Sequence, residues 1–177
     1  MRRGDPLRSP TQFINTHRLM TMSKLQYLVI HCTATPAGRE VSSADIRHWH
    51  MDPPPAGRGW SQVGYTDLFH VNGGVERMVA NNEDDNVDSW EITNGVAGEN
   101  SISRHIVYAG GMDLEMKKPV DSRSSQQKES MRKYVVEFHT KHPDVKIVGH
   151  HYFDQGKACP SFNVQEWLLS IGINQTL

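Results

Sequence analysis

The sequence is poor in cysteine, with only Cys32 and Cys159 among its 177 residues. Two thiols could close one disulfide, but that number is far below the framework that stabilises a small secreted domain. A disulfide-based scaffold is therefore excluded, and each cysteine has to be explained from its own surroundings.

Long apolar runs and an excess of one charge are also lacking. No segment approaches the roughly 18 consecutive apolar residues of a membrane span, so we expect no stable membrane insertion. With 19 basic and 20 acidic side chains, the formal net charge of -1 gives no electrostatic reason to expect a nucleic-acid partner. The length and the hydrophobic fraction of 37% instead predict one globular domain with a buried core.

The N-terminal segment differs in composition from the rest of the chain. Its first 22 residues contain four arginines and two prolines but no continuous apolar stretch of the kind found in a secretory signal. We interpret residues 1–22 as a disordered arm and residues 23–177 as the folded domain.

Apolar periodicity predicts strands that alternate with helices. The predicted strands span residues 27–33, 65–71, 75–80, 102–109 and 145–148. The predicted helices span residues 43–51, 124–142 and 164–171. Residues 81–100 are polar and are predicted to form a long surface loop. This alternation, without any repeat, predicts an α/β fold: a single domain with a central mixed β-sheet and helices on both faces.

His31 is predicted near the carboxyl end of the first strand, where successive side chains point to opposite faces of a sheet. Cys32 therefore cannot easily serve the same site as His31. We interpret Cys32 as a small buried apolar residue.

A second group of reactive side chains lies in the segment 149–160, where a predicted strand ends at a histidine and the following loop carries Lys157 and Cys159. Imidazole and thiolate are typical zinc ligands. A histidine from the first strand, together with a histidine and the cysteine from this segment, would provide three protein ligands. Three ligands leave a fourth position for water, which is the pattern of catalytic zinc sites.

Several motifs carry a resemblance to a known family. In chain order they are Val29-Ile-His-Cys-Thr-Ala-Thr35, Val63-Gly-Tyr65, Asn100-Ser-Ile102 with Gly110-Gly-Met-Asp113, and Gly149-His150 with Lys157-Ala-Cys-Pro-Ser-Phe162. Together they resemble the bacteriophage lysozyme-type N-acetylmuramoyl-L-alanine amidases, a zinc amidase family that is similar to the peptidoglycan recognition proteins. The strand histidine and the Lys-x-Cys-Pro segment are the most specific parts of the match.

The resemblance implies a zinc enzyme that hydrolyses the amide between N-acetylmuramic acid and L-alanine, with peptidoglycan or a muropeptide as its partner. It makes His31, His150 and Cys159 the zinc ligands, and Tyr65 and Lys157 the catalytic side chains around the open position. Each of these roles is an expectation from the family pattern.

Some positions leave alternatives open. His151 competes with His150 as the second ligand, and we prefer His150 because it follows glycine as the ligand of the family usually does. Thr66 stands where family members commonly have histidine, so substrate recognition is expected to differ. Glu76 and Glu91 could assist catalysis, but nothing in the sequence fixes their distance from the metal.

The alternative function is a non-catalytic peptidoglycan-binding module, since recognition proteins can bind muropeptides without cleaving them. Cys159 argues against it, because a metal ligand is typically missing in such binders. In the absence of a recognisable secretory signal, we expect a phage or prophage endolysin that is cytoplasmic before its release and then acts on the cell wall. A cytoplasmic recycling amidase and an additional protein partner are the remaining alternatives.

Overall fold

The computed structural model describes residues 22–177. The predicted N-terminal arm lies outside the described residues, except for Met22, which begins the first strand. The described chain has nine strands: β1 (Met22–Lys24), β2 (Tyr27–Cys32), β3 (Thr35–Pro36), β4 (Asp67–Phe69), β5 (Val75–Arg77), β6 (Asn86–Asp88), β7 (Ser103–Tyr108), β8 (Gly111–Met112) and β9 (Lys146–Gly149). It has three α-helices, α1 (Ser43–Met51), α2 (Ser125–Lys141) and α3 (Val164–Ser170), and 3₁₀ turns at Asn100–Ile102 and His150–Tyr152.

The central sheet has five strands in the order β5-β4-β7-β2-β9. Strand β2 pairs in parallel with both β7 and β9, and β4 pairs in parallel with β7. Strand β5 closes one edge antiparallel to β4, as the predicted hairpin requires. The sheet is therefore mixed. The carboxyl ends of the parallel neighbours β2 and β9 lie side by side, and we call this end of the two strands their carboxyl edge.

Helices cover both faces of this sheet, which confirms the predicted α/β layers. On one face, Ile30 of β2 packs in a core cluster with Met131 of α2 and Leu168 of α3. On the other face, Ile46 of α1 packs in a cluster with Val107 of β7. Successive side chains of a strand thus contribute to two separate clusters, because they point to opposite faces of the sheet.

Local capping interactions explain the helix boundaries. At the start of α1 the backbone N–H of Asp45 donates to Ser42 Oγ at 3.1 Å, and the N–H of Ser42 donates to the Asp45 carboxylate at 2.9 Å. Helix α2 begins with the same reciprocal arrangement between Ser124 and Gln127. These capping boxes satisfy N–H groups that have no partner within the helix. None of the helices within residues 22–177 is long and apolar enough to cross a membrane.

The segment 81–100 is more ordered than the surface loop that we predicted. It contains β6, which pairs antiparallel with β1, and Glu91 is buried. The Glu91 carboxylate accepts the backbone N–H of Asn82 at 2.6 Å and that of Asp88 at 3.1 Å. Glu91 can be buried in this polar segment because its carboxylate accepts hydrogen bonds from backbone N–H groups of the same segment.

Candidate metal centre

Strand register brings His31 and His150 together. Gly149, the last residue of β9, pairs with Ile30 of β2. His150 therefore starts the next turn directly beside His31, at the carboxyl edge that β2 and β9 share. The two ring centroids are 4.8 Å apart.

Cys159 reaches the same edge on the loop that follows. The backbone N–H of His151 donates to the carbonyl oxygen of Cys159 at 3.0 Å, and His151 Nδ1 lies 3.1 Å from the same oxygen. His151 thus anchors the cysteine loop through its backbone and its ring. This arrangement leaves His150, rather than His151, facing the other two candidate ligands.

The ligand atoms of His31, His150 and Cys159 all lie within 4.8 Å of one another. His31 Nδ1 is 3.7 Å from Cys159 Sγ, and the backbone N–H of Cys32 donates to the same sulfur at 3.3 Å. Two imidazoles and one sulfur that converge in this way fit a zinc ion with a fourth position left for water. The donor set of the cluster is therefore suited to zinc.

Burial favours the neutral form of both histidines. It lowers the pKa of His31 well below its ordinary value, an effect that the neighbouring His105 ring adds to. Burial and the charge of Lys157 also lower the pKa of His150. Neutral imidazoles keep a ring nitrogen lone pair free for a metal.

The environment of Cys159 disfavours a free thiolate. Its side-chain contact with Cys32 and its burial raise the pKa of the Cys159 thiol above the ordinary value. A bound cation would reverse this preference, because a metal ligand has to be deprotonated. Both cysteines are free thiols, and Cys32 itself is buried in the core cluster that contains Ile30.

The cluster forms part of the wall of a cleft of about 850 Å³. Tyr65 and Lys157 both line this cleft, so the structure brings together all five side chains that the sequence singled out. The Tyr65 ring lies 5.2 Å, centroid to centroid, from the ring of His31. Other parts of the wall come from α1 and from the loops before β4 and β7, through Trp49, His50, Arg58, Trp60, Asn94 and Asn100.

The two predicted catalytic side chains have different electrostatic surroundings. Burial raises the pKa of Tyr65 above its ordinary value, so the hydroxyl stays protonated at neutral pH and can donate a hydrogen bond. Lys157 is half exposed, and its Nζ lies 4.0 Å from an oxygen of the Asp154 carboxylate. The cleft therefore offers one neutral donor and one positive charge beside the cluster.

Neither glutamate considered from the sequence lines the cleft. Glu76 lies on β5, where its carboxylate is 3.1 Å from His70 Nε2. Glu91 is occupied by the backbone of its own loop. Within the described chain, both carboxylates therefore have structural partners away from the cluster.

Sequence reasoning missed two histidines near the cluster. His50 Nδ1 accepts the backbone N–H of Gly64 at 3.1 Å, and burial lowers the pKa of His50 to about 4. His105 lies fully buried on β7, and its Nδ1 is 3.1 Å from His31 Nε2. In the sequence, the only indication that His50 faces inward was its position one helical turn after the apolar Ile46. For His105 the only indication was its place on a predicted strand, two residues before Val107.

Comparison with known proteins gives relatives over most of the chain. No protein-family model matches the sequence. The endolysin of Enterobacteria phage K11 is 33% identical over 139 residues, which cover 78% of this chain and 82% of that endolysin.

Solved structures share the fold. The N-acetylmuramoyl-L-alanine amidase LysC from Clostridium intestinale URNW has a TM-score of 0.65 at 18% identity, over 87% of this chain and 91% of that one. The peptidoglycan recognition protein LE, in complex with tracheal cytotoxin, has a TM-score of 0.58 at 18% identity, over 85% of each chain.

The fold is therefore the one shared by N-acetylmuramoyl-L-alanine amidases and peptidoglycan recognition proteins, which confirms the resemblance seen in the motifs. The chain belongs to the phage endolysin family. It is accordingly a hydrolase of the bacterial cell wall.

Proposed function

We propose that the protein is a zinc-dependent N-acetylmuramoyl-L-alanine amidase, which hydrolyses the amide between N-acetylmuramic acid and L-alanine of peptidoglycan. The observation that carries this proposal is the convergence of His31, His150 and Cys159 in a cleft that also contains Tyr65 and Lys157. Membership in the endolysin family supports it, as does the fold shared with an amidase.

Zinc bound to His31, His150 and Cys159 would supply a Lewis acid and a water whose pKa is lowered to about 7. Two features of the metal-free chain favour binding of this ion. The two histidines are held neutral by burial, and the backbone N–H of Cys32 stabilises negative charge on the Cys159 sulfur.

Lys157 and Tyr65 act on the substrate side of the cleft. The positive charge of Lys157 stabilises the oxyanion that develops on the scissile carbonyl. The Tyr65 hydroxyl, which remains protonated, donates a hydrogen bond that orients the attacking water or the oxyanion.

A non-catalytic recognition module is the second candidate, since a peptidoglycan recognition protein in complex with tracheal cytotoxin shares this fold. The thiol of Cys159 beside two neutral histidines favours the enzyme, because a pure binding module has no need of that ligand set. The biological setting that fits best is an endolysin that reaches the wall at lysis.

Mass spectrometry of a defined muropeptide after digestion tests the bond that is cleaved. We expect two products, a sugar with a free lactyl carboxylate and a peptide that begins with L-alanine. Cys159→Ser should abolish both, whereas the matched control Cys32→Ala should retain activity, because it keeps the backbone N–H that donates to the Cys159 sulfur and removes a thiol that is not among the three converging ligands. Binding of the muropeptide without new termini would leave a recognition module, and new reducing ends would indicate a glycosidase.

A further inference from the structure

His105 lies on the same face of the sheet as His31, one strand away. His31 is in register with Val107, and His105 is in register with Val29, so the two histidines are diagonal neighbours across β2 and β7. His105 has no solvent exposure, and its Nδ1 lies 3.1 Å from His31 Nε2. A buried contact between two imidazoles requires one of them to donate and the other to accept.

The candidate metal centre decides which ring donates. His31 Nδ1 faces Cys159 Sγ at 3.7 Å, so Nε2 is the ring nitrogen directed away from the cluster. If Nδ1 offers its lone pair to a metal, the proton of the neutral ring is on Nε2 and points at His105 Nδ1. His105 is then the acceptor, and its own proton is on Nε2.

The pocket around His105 is fitted to its ring. A Cβ atom added to Gly95 would lie 2.4 Å from both Cγ and Nδ1 of His105, which leaves no room for a side chain there. His105 Nε2 is buried and has no hydrogen-bond partner among the described residues. An unpartnered buried N–H costs stability, so a residue kept only for packing would be better replaced by an apolar one.

We infer that His105 is a positioning residue for the metal centre: its Nδ1 accepts the Nε2 proton of His31 and so directs His31 Nδ1 at the metal. Metal-bound histidines generally donate their second ring N–H to a carboxylate, a carbonyl or a water, and these partners fix the tautomer and the ring orientation. Here a second histidine has that role. The inference rests on the proposed function, because it presupposes a metal ion at the cluster.

Two substitutions separate the acceptor from the bulk of the ring. His105→Asn keeps a hydrogen-bond acceptor at the δ position, whereas His105→Leu keeps a comparable volume without any acceptor. We expect the Leu variant to bind zinc about 10- to 100-fold more weakly than the native protein in competition with a chromophoric chelator. The Asn variant should stay within a few-fold of the native affinity.

Metal-free stability distinguishes positioning from simple packing. The Leu variant loses the unpartnered Nε2–H of His105 but leaves the buried Nε2–H of His31 without its acceptor, so its thermal midpoint without metal should stay close to that of the native protein. Substitution of cobalt for zinc adds a spectroscopic readout. The native and Asn proteins should give the same absorption bands of a tetrahedral thiolate site, and those of the Leu variant should be shifted or weakened.

Ring nitrogen NMR of the native zinc form tests the inference without any substitution, and it should show His105 protonated at Nε2 and unprotonated at Nδ1. A native protein that binds neither zinc nor cobalt would overturn both the proposed metal centre and this inference. A native protein that binds both metals, with a Leu variant of equal affinity and identical spectrum, would overturn the role of His105 alone. So would a His105 ring protonated at Nδ1 in the zinc form.

Discussion

Lys157 is a side chain of the cleft that contributes little to the stability of the fold. Its side chain is half exposed, and its Nζ lies 4.0 Å from an oxygen of the Asp154 carboxylate. Exposed ion pairs of this kind contribute little to folding. The charge is nevertheless close enough to His150 to lower the pKa of that ring.

Replacement of Lys157 by Met should therefore lower kcat and leave zinc binding intact. Loss of one group that stabilises an oxyanion typically costs about 10²- to 10³-fold in rate. Steady-state kinetics on a soluble muropeptide, with zinc content measured on the same sample, checks this expectation. Lys133→Met, on the exposed side of α2, is the matched control and should retain full activity. An unchanged kcat in Lys157→Met would remove this residue from the mechanism.

His50 gives the metal-free protein a pH dependence of known sign. Its pKa is about 4 in the folded chain and about 6.5 in an unfolded chain, so the unfolded state binds more protons between these values. The contribution of His50 to stability is therefore complete above pH 6.5 and is lost as the pH falls towards 4.

His50→Asn should reduce this pH dependence, because Asn can still accept the N–H of Gly64 but takes up no proton. The free energy of unfolding of the metal-free protein, measured by urea at several pH values from 7 to 4, should decrease less steeply than in the native protein. His48→Gln, a change at an exposed position of the same helix, serves as the control. Equal slopes for the native and Asn proteins would contradict the assignment.

At the scale of the element, the candidate metal centre depends on the junction between β9 and the loop that carries Cys159. Gly149 ends the strand, and the His150–Tyr152 turn follows at once. A Cβ at position 149 would lie 2.6 Å from Pro160 Cδ and 2.7 Å from His151 Cε1. The absence of a side chain here lets the loop that carries Cys159 close over the strand end.

Gly149→Ala should therefore push the cysteine loop away from His150. We expect a loss of about 1–3 kcal/mol of stability from overpacking and a fall of tenfold or more in zinc affinity. Thermal unfolding without metal and chelator competition measure the two effects. Gly156→Ala in the same loop is the control, since its Cβ would meet only the Asp154 carboxylate, at 3.2 Å. Similar effects of both substitutions would argue against a specific role for Gly149.

Elements with local signals could be predicted from the sequence, and those without could not. The bounds of α1 matched the prediction because Ser42 and Asp45 form a capping box and prolines follow the helix. Strands β3 and β8 have two residues each and pair with each other, and two residues are too few to show a periodicity in the sequence. The inward turn of Glu91 likewise depends on backbone donors whose position the sequence does not encode locally.

At the scale of the whole molecule, the alternation of predicted strands and helices predicted the layers but not the neighbours within the sheet. The five side chains of the candidate site were found because family motifs mark them. His105 carries no such mark, and its contact with His31 follows from the register of β2 and β7. The sequence therefore predicted the five side chains that line the cleft but not His105, which contacts His31.

The central claim is that one zinc ion, held by His31, His150 and Cys159, is needed to cleave the bond before L-alanine. The most direct test is the rate at which L-alanine amino termini appear in purified peptidoglycan, measured on protein stripped by a chelator and on the same protein after one equivalent of zinc. The account predicts no release from the stripped protein and restored release with zinc, but none from Cys159→Ser under either condition. Full release by protein shown to contain no metal would contradict it.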